Sequence, residues 1–416
     1  MSDPHIAVLP ALALESGRTI DPLLVAYETW GELDETAGNV VLVCHALTGN
    51  AHAASLSSVP GGGGRVQGGI PPDSTPPSPL SRREGERRTK GGTGAGAPKG
   101  GWWEGLIGPG RAIDTDRYFV VCSNVIGSCY GSSGPLSIDP ETGAPYGSSF
   151  PAVTIRDMVH AQRALLDSLG VARVALVIGG SMGGMQFFEW GLLQPEFVDR
   201  LAPIASSARH SPWAVAFNTI AREAIALGRR GGDAAAGLGL ARKVAMMTYR
   251  SGEEFAARFD RGRTDDDLLS HRGFAVNGWL GHHADALVAR FDDRVYELLT
   301  AAMDTHDITR GRGDLATTLG SIAQPVLVVG IRSDILYPVE EQHALVRSLP
   351  DATYREIDAA SGHDAFLIEM EQLAGFIREF LATTHSQGKT LEEQSTIQGR
   401  PTLEEQSCEN ILTSDS

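Results

Sequence analysis

Short unbroken apolar runs alternate along this chain with stretches whose apolar positions recur every three or four residues. Residues 40–45 (VVLVCH), 118–124 (YFVVCSN), 174–180 (VALVIGG) and 326–330 (VLVVG) are β-rich and continuously apolar. That is how strands covered on both faces read. Residues 154–170 (TIRDMVHAQRALLDSLG) carry helical spacing and end on Gly170, a natural helix stop. Strand and helix in alternation predict an α/β fold, a mostly parallel central sheet with helices on both faces.

Three segments break the pattern. Residues 206–315 are rich in Ala, Arg and Asp and read as several helices without a clear strand. They predict a helical cap inserted into a core made of residues 1–205 and 316–384. Residues 55–100 contain GGGG, PPDSTPPSP, SRREGERRTK and GGTGAGAPKGG. Such a low-complexity insertion buries too little apolar surface to offset the entropy of ordering it, so disorder is expected. Its basic run is expected to be a solvated stretch rather than a binding arm. The tail, residues 385–416, repeats TLEEQS twice, too few and too small units for a solenoid, and is also expected to be disordered.

Composition narrows the function. The 416 residues carry a formal net charge of −16, which argues against a nucleic-acid surface or an anionic membrane as partner. The first residues show no basic, apolar leader, and no run is long enough to span a bilayer. Cys44, Cys122, Cys129 and Cys408 form no CxxC pair, so neither a zinc nor a redox motif is expected. A reducing, cytoplasmic setting is the expectation.

The chemistry concentrates at Gly179-Gly180-Ser181-Met182-Gly183. This G-x-S-x-G follows a predicted strand and precedes a predicted helix, the setting of a nucleophile elbow in an α/β-hydrolase fold. A serine hydroxyl needs a base, commonly a histidine held by a carboxylate, and in this fold they follow in the order Ser, acid, His. Asp334 lies just past the run at 326–330, and His363 just past the strand-like TYREID. Both loops belong at the sheet edge that carries the elbow. Asp358 is the runner-up acid. Of the 12 histidines, His45, His282, His283 and His306 are either site-facing or structural, and none offers metal-ligand spacing. The Leu47 amide, after the first apolar run, and the Met182 amide are the expected oxyanion donors.

Several blocks in order resemble the homoserine O-acetyltransferase family: YETWGEL, VLVCHALTGNAHAA, GWWEGLIGPGRAIDTDRYFVVCSN, GSSGP, GGSMGGMQ, SARHSPWAVAFN, TYRS and GHDAF. The resemblance runs from about Leu14 to Leu381, broken by the insertion. It implies acyl transfer from acetyl-CoA, a co-substrate, to the hydroxyl of L-homoserine through an acyl-serine, with no cofactor. It supports Ser181, Asp334 and His363 in their roles. It implies that Arg250 binds the amino acid's carboxylate, Asp364 its ammonium, and that Thr48 lines the pocket. It also implies a homodimer built through the cap, and a place in methionine biosynthesis. Two alternatives stay open: a homoserine or serine O-succinyltransferase, and a plain esterase or thioesterase. The insertion falls near the mouth of the expected site and, if ordered, would hinder access.

Overall fold

The computed structural model describes residues 4–55, 100–267 and 269–383. The expected disorder of the insertion's interior and of the tail falls outside these residues.

Eight strands form the main sheet: β1 (His5–Leu9), β2 (Leu23–Trp30), β3 (Val40–Cys44), β4 (Phe119–Ser123), β5 (Val174–Gly180), β6 (Leu201–Ile204), β7 (Val326–Ile331) and β8 (Ala352–Ile357). Their spatial order is β1-β2-β4-β3-β5-β6-β7-β8. The β1–β2 and β2–β4 pairs are antiparallel, and every other pair is parallel. Every residue of β3, β5 and β7 is buried, which explains their unbroken apolar character. Successive side chains alternate between faces. Val40, Leu42 and Cys44 join the core on one side, and Val41 and Val43 the core on the other.

Helix α1 (Ile155–Ser168) covers the first face through Met158, Val159, Leu165 and Leu166. Thr154 and Asp157 close a capping box at its start, and Gly170, at φ 75°, follows its end. Helix α2 (Met182–Leu193) lies on the same side and is buried over nearly its whole length. Seven further helices are α3 (Pro212–Arg230), α4 (Ala234–Tyr249), α5 (Gly252–Phe259), α6 (Ala275–Val288), α7 (Asp293–Asp304), α8 (Leu315–Gly320) and α9 (Val339–Ser348). Helix α10 (Met370–Ala382) packs Leu373, Ile377 and Phe380 on the second face. None of the described helices is long and apolar enough to cross a membrane.

Helices α3–α7 all lie between β6 and β7. The chain enters and leaves them through a short paired neck: His210 N–H donates to His306 O at 3.0 Å and Ile308 N–H to Ala208 O at 3.1 Å. The sheet's switch point lies at β3, where the chain first steps to β4 on one side and then to β5 on the other. Ligands in open α/β sheets bind outside the strand ends at such a point.

The described ends of the insertion meet. Trp103 N–H donates to Ala53 O at 2.8 Å, Ser55 and Gly101 amides share Glu104 Oε2 at 2.7 and 3.1 Å, and Trp103 is fully buried. These contacts hold the fold together without residues 56–99. Replacing residues 56–99 with a short Gly-Ser linker is therefore expected to leave the thermal midpoint and turnover unchanged. Calorimetry and steady-state assay of the shortened chain check this.

Candidate active site

Ser181 sits between the end of β5 and the start of α2, at φ 57° and ψ −123°. A non-glycine residue held there is strained, and persists only where its surroundings over-determine it. They do. Ser181 N–H donates to Ile204 O at 2.9 Å, and Ser206 Oγ–H donates to Ser181 O at 2.9 Å. The flanking glycines are set by contact. A Cβ on Gly183 would stand 2.1 Å from Cys44 O, and one on Gly179 2.6 Å from the same oxygen. The elbow thus presses directly against the end of β3, and any side chain at either position would lift it away.

Asp334 follows β7 and His363 follows β8, as the sequence predicts. His363 Nδ1 and Asp334 Oδ2 are 2.7 Å apart, and both side chains are almost wholly buried. The other carboxylate oxygen accepts the amides of Leu336 at 2.8 Å and Tyr337 at 3.0 Å, so the acid cannot swing away. Ser333 ties the two loops together: its hydroxyl donates to Ala359 O at 2.7 Å and accepts the Gly362 amide at 3.0 Å. Burial alone would push the His363 imidazole down. The charge and hydrogen bond of Asp334 outweigh it, and the net shift is upward from the usual value. Phe366 lies 5.6 Å from the imidazole and packs against Gly180 of the elbow, and the Tyr337 ring lies 5.3 Å from the imidazole.

A cavity opens on Ser181, lined among others by Leu47, His210, Thr248, Tyr249, Tyr296 and Leu336. Its far wall comes from α3, α4 and α7, so the helical segment roofs the serine. Met182 begins α2, where the first amides have no helical acceptor. Among the described residues neither the Leu47 nor the Met182 amide donates to a backbone oxygen outside its own helix or strand. His45 shapes the Leu47 loop. Its Nδ1–H donates to Ala46 O at 2.8 Å and its Nε2 accepts the Val125 amide at 3.1 Å. Burial pushes this imidazole down to about 4, so it stays neutral and structural.

The remaining predicted residues fall in different places. Arg250 and Asp364 are neighbours, with Arg250 Nε 3.1 Å from Asp364 Oδ2, though Nε is not aimed to donate to it. Arg250 Nη1 instead donates to Glu254 at 3.1 Å. Burial raises the Asp364 carboxyl despite Arg250 and Arg242 nearby. Thr48 is not among the residues lining the cavity, and its carbonyl accepts Arg290 Nη1 at 2.7 Å. Asp358, the runner-up acid, is exposed and paired with Arg332 at 2.6 Å. His306 Nε2–H donates to Ser207 O at 3.1 Å, and burial lowers this imidazole to about 4. His282 and His283 lie on α6, outside the cavity lining.

Sequence reasoning missed His210 and Tyr337. Tyr337 stands three residues past Asp334, where its amide bonds that carboxylate. That proximity was a usable signal. His210 lay within the block SARHSPWAVAFN, but nothing in that block pointed to its partners, which come from the far side of the neck.

The family model for the alpha/beta hydrolase fold matches residues 91–369. A homoserine O-acetyltransferase of Trichormus variabilis is 43% identical over 375 residues, covering 88% of this chain and 90% of that protein. The crystal structure of homoserine O-acetyltransferase from Bacillus anthracis superposes with a TM-score of 0.77 at 26% identity, covering 93% of this chain and all of that one. Esterase E22 superposes with a TM-score of 0.75 at 25% identity, over 92% of this chain and all of that one. The esterase likeness shows that the architecture alone does not separate transfer from hydrolysis. Sequence identity across nearly the full length does, and by that measure this chain belongs to the homoserine O-acetyltransferase family.

Proposed function

We infer that the protein transfers the acetyl group of acetyl-CoA to the side-chain hydroxyl of L-homoserine, by way of an acetyl-serine at Ser181. The observation that carries this reading is a strained serine lining a roofed cavity, with a buried imidazole–carboxylate pair on the loops that follow β7 and β8. His363 takes the Ser181 proton as Oγ attacks the thioester carbonyl. The Leu47 and Met182 amides hold the oxyanion. The C–S bond breaks and CoA leaves as the thiol. L-Homoserine then enters, His363 takes its hydroxyl proton, and the ester passes to the new oxygen as Ser181 regains its proton. Asp334 keeps Nδ1 protonated and stabilises the imidazolium at both stages.

Helices α3–α7 act in this reading as a cap. Water must be kept from the acetyl-enzyme if transfer is to beat hydrolysis, and a roof over Ser181 does that. Arg250 and Asp364, adjacent to one another, offer one charge for each end of a zwitterion. Arg250→Lys keeps the charge but loses the planar fork that suits a carboxylate. It is expected to raise KM for L-homoserine roughly ten- to hundredfold while the first release of thiol from acetyl-CoA keeps its rate. Steady-state and burst kinetics on the same variant check both halves.

Exposed Trp213, Ile220 and Leu227 on α3, with Leu240 and Met247 on α4, support a homodimer built through the cap. The buried free thiols of Cys44, Cys122 and Cys129 suit a reducing cytoplasm.

The test is thiol release from acetyl-CoA with and without L-homoserine, alongside succinyl-CoA and L-serine. Sustained release only with L-homoserine and acetyl-CoA supports the reading. Sustained release with no acceptor makes the protein a thioesterase, and preference for succinyl-CoA makes it a succinyltransferase.

A further inference from the structure

Arg242 carries a charge that no described residue pairs with. It lies on α4, and its guanidinium stands over the Tyr249 ring, with Cζ 5.2 Å from the centroid. Tyr249 lines the cavity that opens on Ser181, and its ring is 5.8 Å from that of His363. The two separations together bound how far Arg242 stands from the imidazole. Arg242 Nε is buried without a hydrogen-bond partner. Five other arginines among the described residues have such a nitrogen, and each donates through another nitrogen of the same side chain. Arg242 does not: among the described residues its contact is the Tyr249 ring, with no hydrogen bond and no ion pair. A charge withdrawn from water is costly unless it is paired, so this one calls for a ligand.

The neighbouring charges are already matched. Arg250 Nη1 donates to Glu254 Oε1 at 3.1 Å, and Arg250 Nε is 3.1 Å from Asp364 Oδ2. Arg258 Nη1 also approaches Glu254, at 3.7 Å. Two carboxylates therefore serve Arg250 and Arg258, and Arg242 is left over. His283 on α6 adds no cation, because burial and then the charge of Arg242 lower its imidazole to about 4. The cluster thus has one positive charge in excess, and it suits a ligand that brings one anionic group close to His363. L-Homoserine does so. Four bonds separate its hydroxyl oxygen from its carboxylate carbon, roughly 5 Å at ordinary bond lengths. The phosphates of acetyl-CoA lie beyond the whole pantetheine arm, away from the imidazole.

We propose that Arg242 is a substrate-binding residue that sets the preference for an amino-acid acceptor: its guanidinium takes the acceptor's carboxylate, beside Arg250, while Asp364 takes the ammonium. Paired N–H donors in a plane fit a carboxylate, and the ring of Tyr249 holds that plane beside the cavity wall. The proposal rests on L-homoserine as the acceptor and deepens that reading.

The experiment compares L-homoserine with 3-aminopropan-1-ol, which is L-homoserine without its carboxylate. Thiol release from acetyl-CoA above the rate without acceptor gives kcat/KM for each. Arg242→Met is expected to lower the ratio of the two values roughly ten- to hundredfold, the worth of a charge-assisted hydrogen bond. The loss should fall on L-homoserine alone, with KM for acetyl-CoA and the burst of thiol unchanged. Arg242→Lys, which keeps the charge without the fork, is expected to recover part of the ratio. A ratio of two acceptors on one protein is independent of the fraction folded, so a destabilised variant still gives the answer. An unchanged ratio overturns the proposal, whether both acceptors lose equally, as for a side chain needed only for packing, or neither does. A raised KM for acetyl-CoA with the ratio intact overturns it too, and moves Arg242 to the acyl donor. Failure of the acceptor reading itself is separable. It shows in the unaltered protein, which would then release no more thiol with L-homoserine than without it.

Discussion

Ser181→Ala is expected to lower kcat by about 10⁵- to 10⁶-fold, the loss seen when an activated serine is removed from a complete relay. The fold should survive. The substitution deletes one oxygen, while the two contacts that hold the turn run through the backbone, from Ser181 N–H to Ile204 O and from Ser206 Oγ to Ser181 O. The strained backbone remains strained with alanine, so no stabilisation through relief of the turn is expected. What disappears is the hydroxyl that accepts the acetyl group in this reading. Residual activity would come from the oxyanion amides and from substrate binding alone. Matching thermal midpoints for the two proteins, beside the collapse in turnover, would assign the loss to chemistry rather than to unfolding.

Asp334→Asn is expected to cost about 10⁴-fold in kcat with little change in architecture. Oδ1 of the asparagine can still accept the Leu336 and Tyr337 amides, which Asp334 Oδ1 now accepts. Its Nδ2 would then face His363 Nδ1, where Asp334 Oδ2 stands at 2.7 Å. An N–H donor there forces Nδ1 to accept, and the ring proton moves to Nε2. That tautomer cannot take a proton from Ser181. The pH dependence should shift with it. The base works only when neutral, so in the native enzyme an upward-shifted His363 puts the acid limb of kcat/KM above pH 6.5, the ordinary value for the group. In the variant, burial is left opposed only by Asp364, and the residual activity should lose its acid limb toward lower pH. A limb that stayed in place would mean that some other group titrates there.

The parts of the fold most legible in the sequence were those under one strong local constraint. Strands β3, β5 and β7 are covered on both faces, so nothing polar is tolerated and the run of apolar residues announces them. Strand β6 escaped notice because it has only four residues, Leu201–Ile204, and includes Pro203. Proline normally argues against an interior strand, yet here β6 lies between β5 and β7. Strands β1 and β2 at the antiparallel edge mix exposed and buried positions, which weakens the same signal.

The site divides along similar lines. The elbow is five consecutive residues whose glycines are dictated by close neighbours, Cys44 at Gly179 and Gly183 and Phe366 at Gly180, so a local motif suffices to find it. Asp334 and His363 were found by their place after strands, because the fold brings all such loops to one edge. His210 and its partners are bound by contacts spanning 94 residues to Asp304 and 127 to Tyr337. No periodicity or local composition encodes those pairings. They follow only from the neck that closes the helical segment onto the core. Arg250 and Asp364 were singled out only by the family resemblance, and their direct adjacency was not legible in the sequence.

The most direct measurement is the intact mass of the protein after brief exposure to acetyl-CoA with no acceptor, followed by peptide mapping. One acetyl group on the peptide carrying Ser181, discharged when L-homoserine is added, is the expected result. Formation of O-acetylated product by an enzyme that never carries acetyl at Ser181 would contradict it, and would require direct transfer between the two substrates instead.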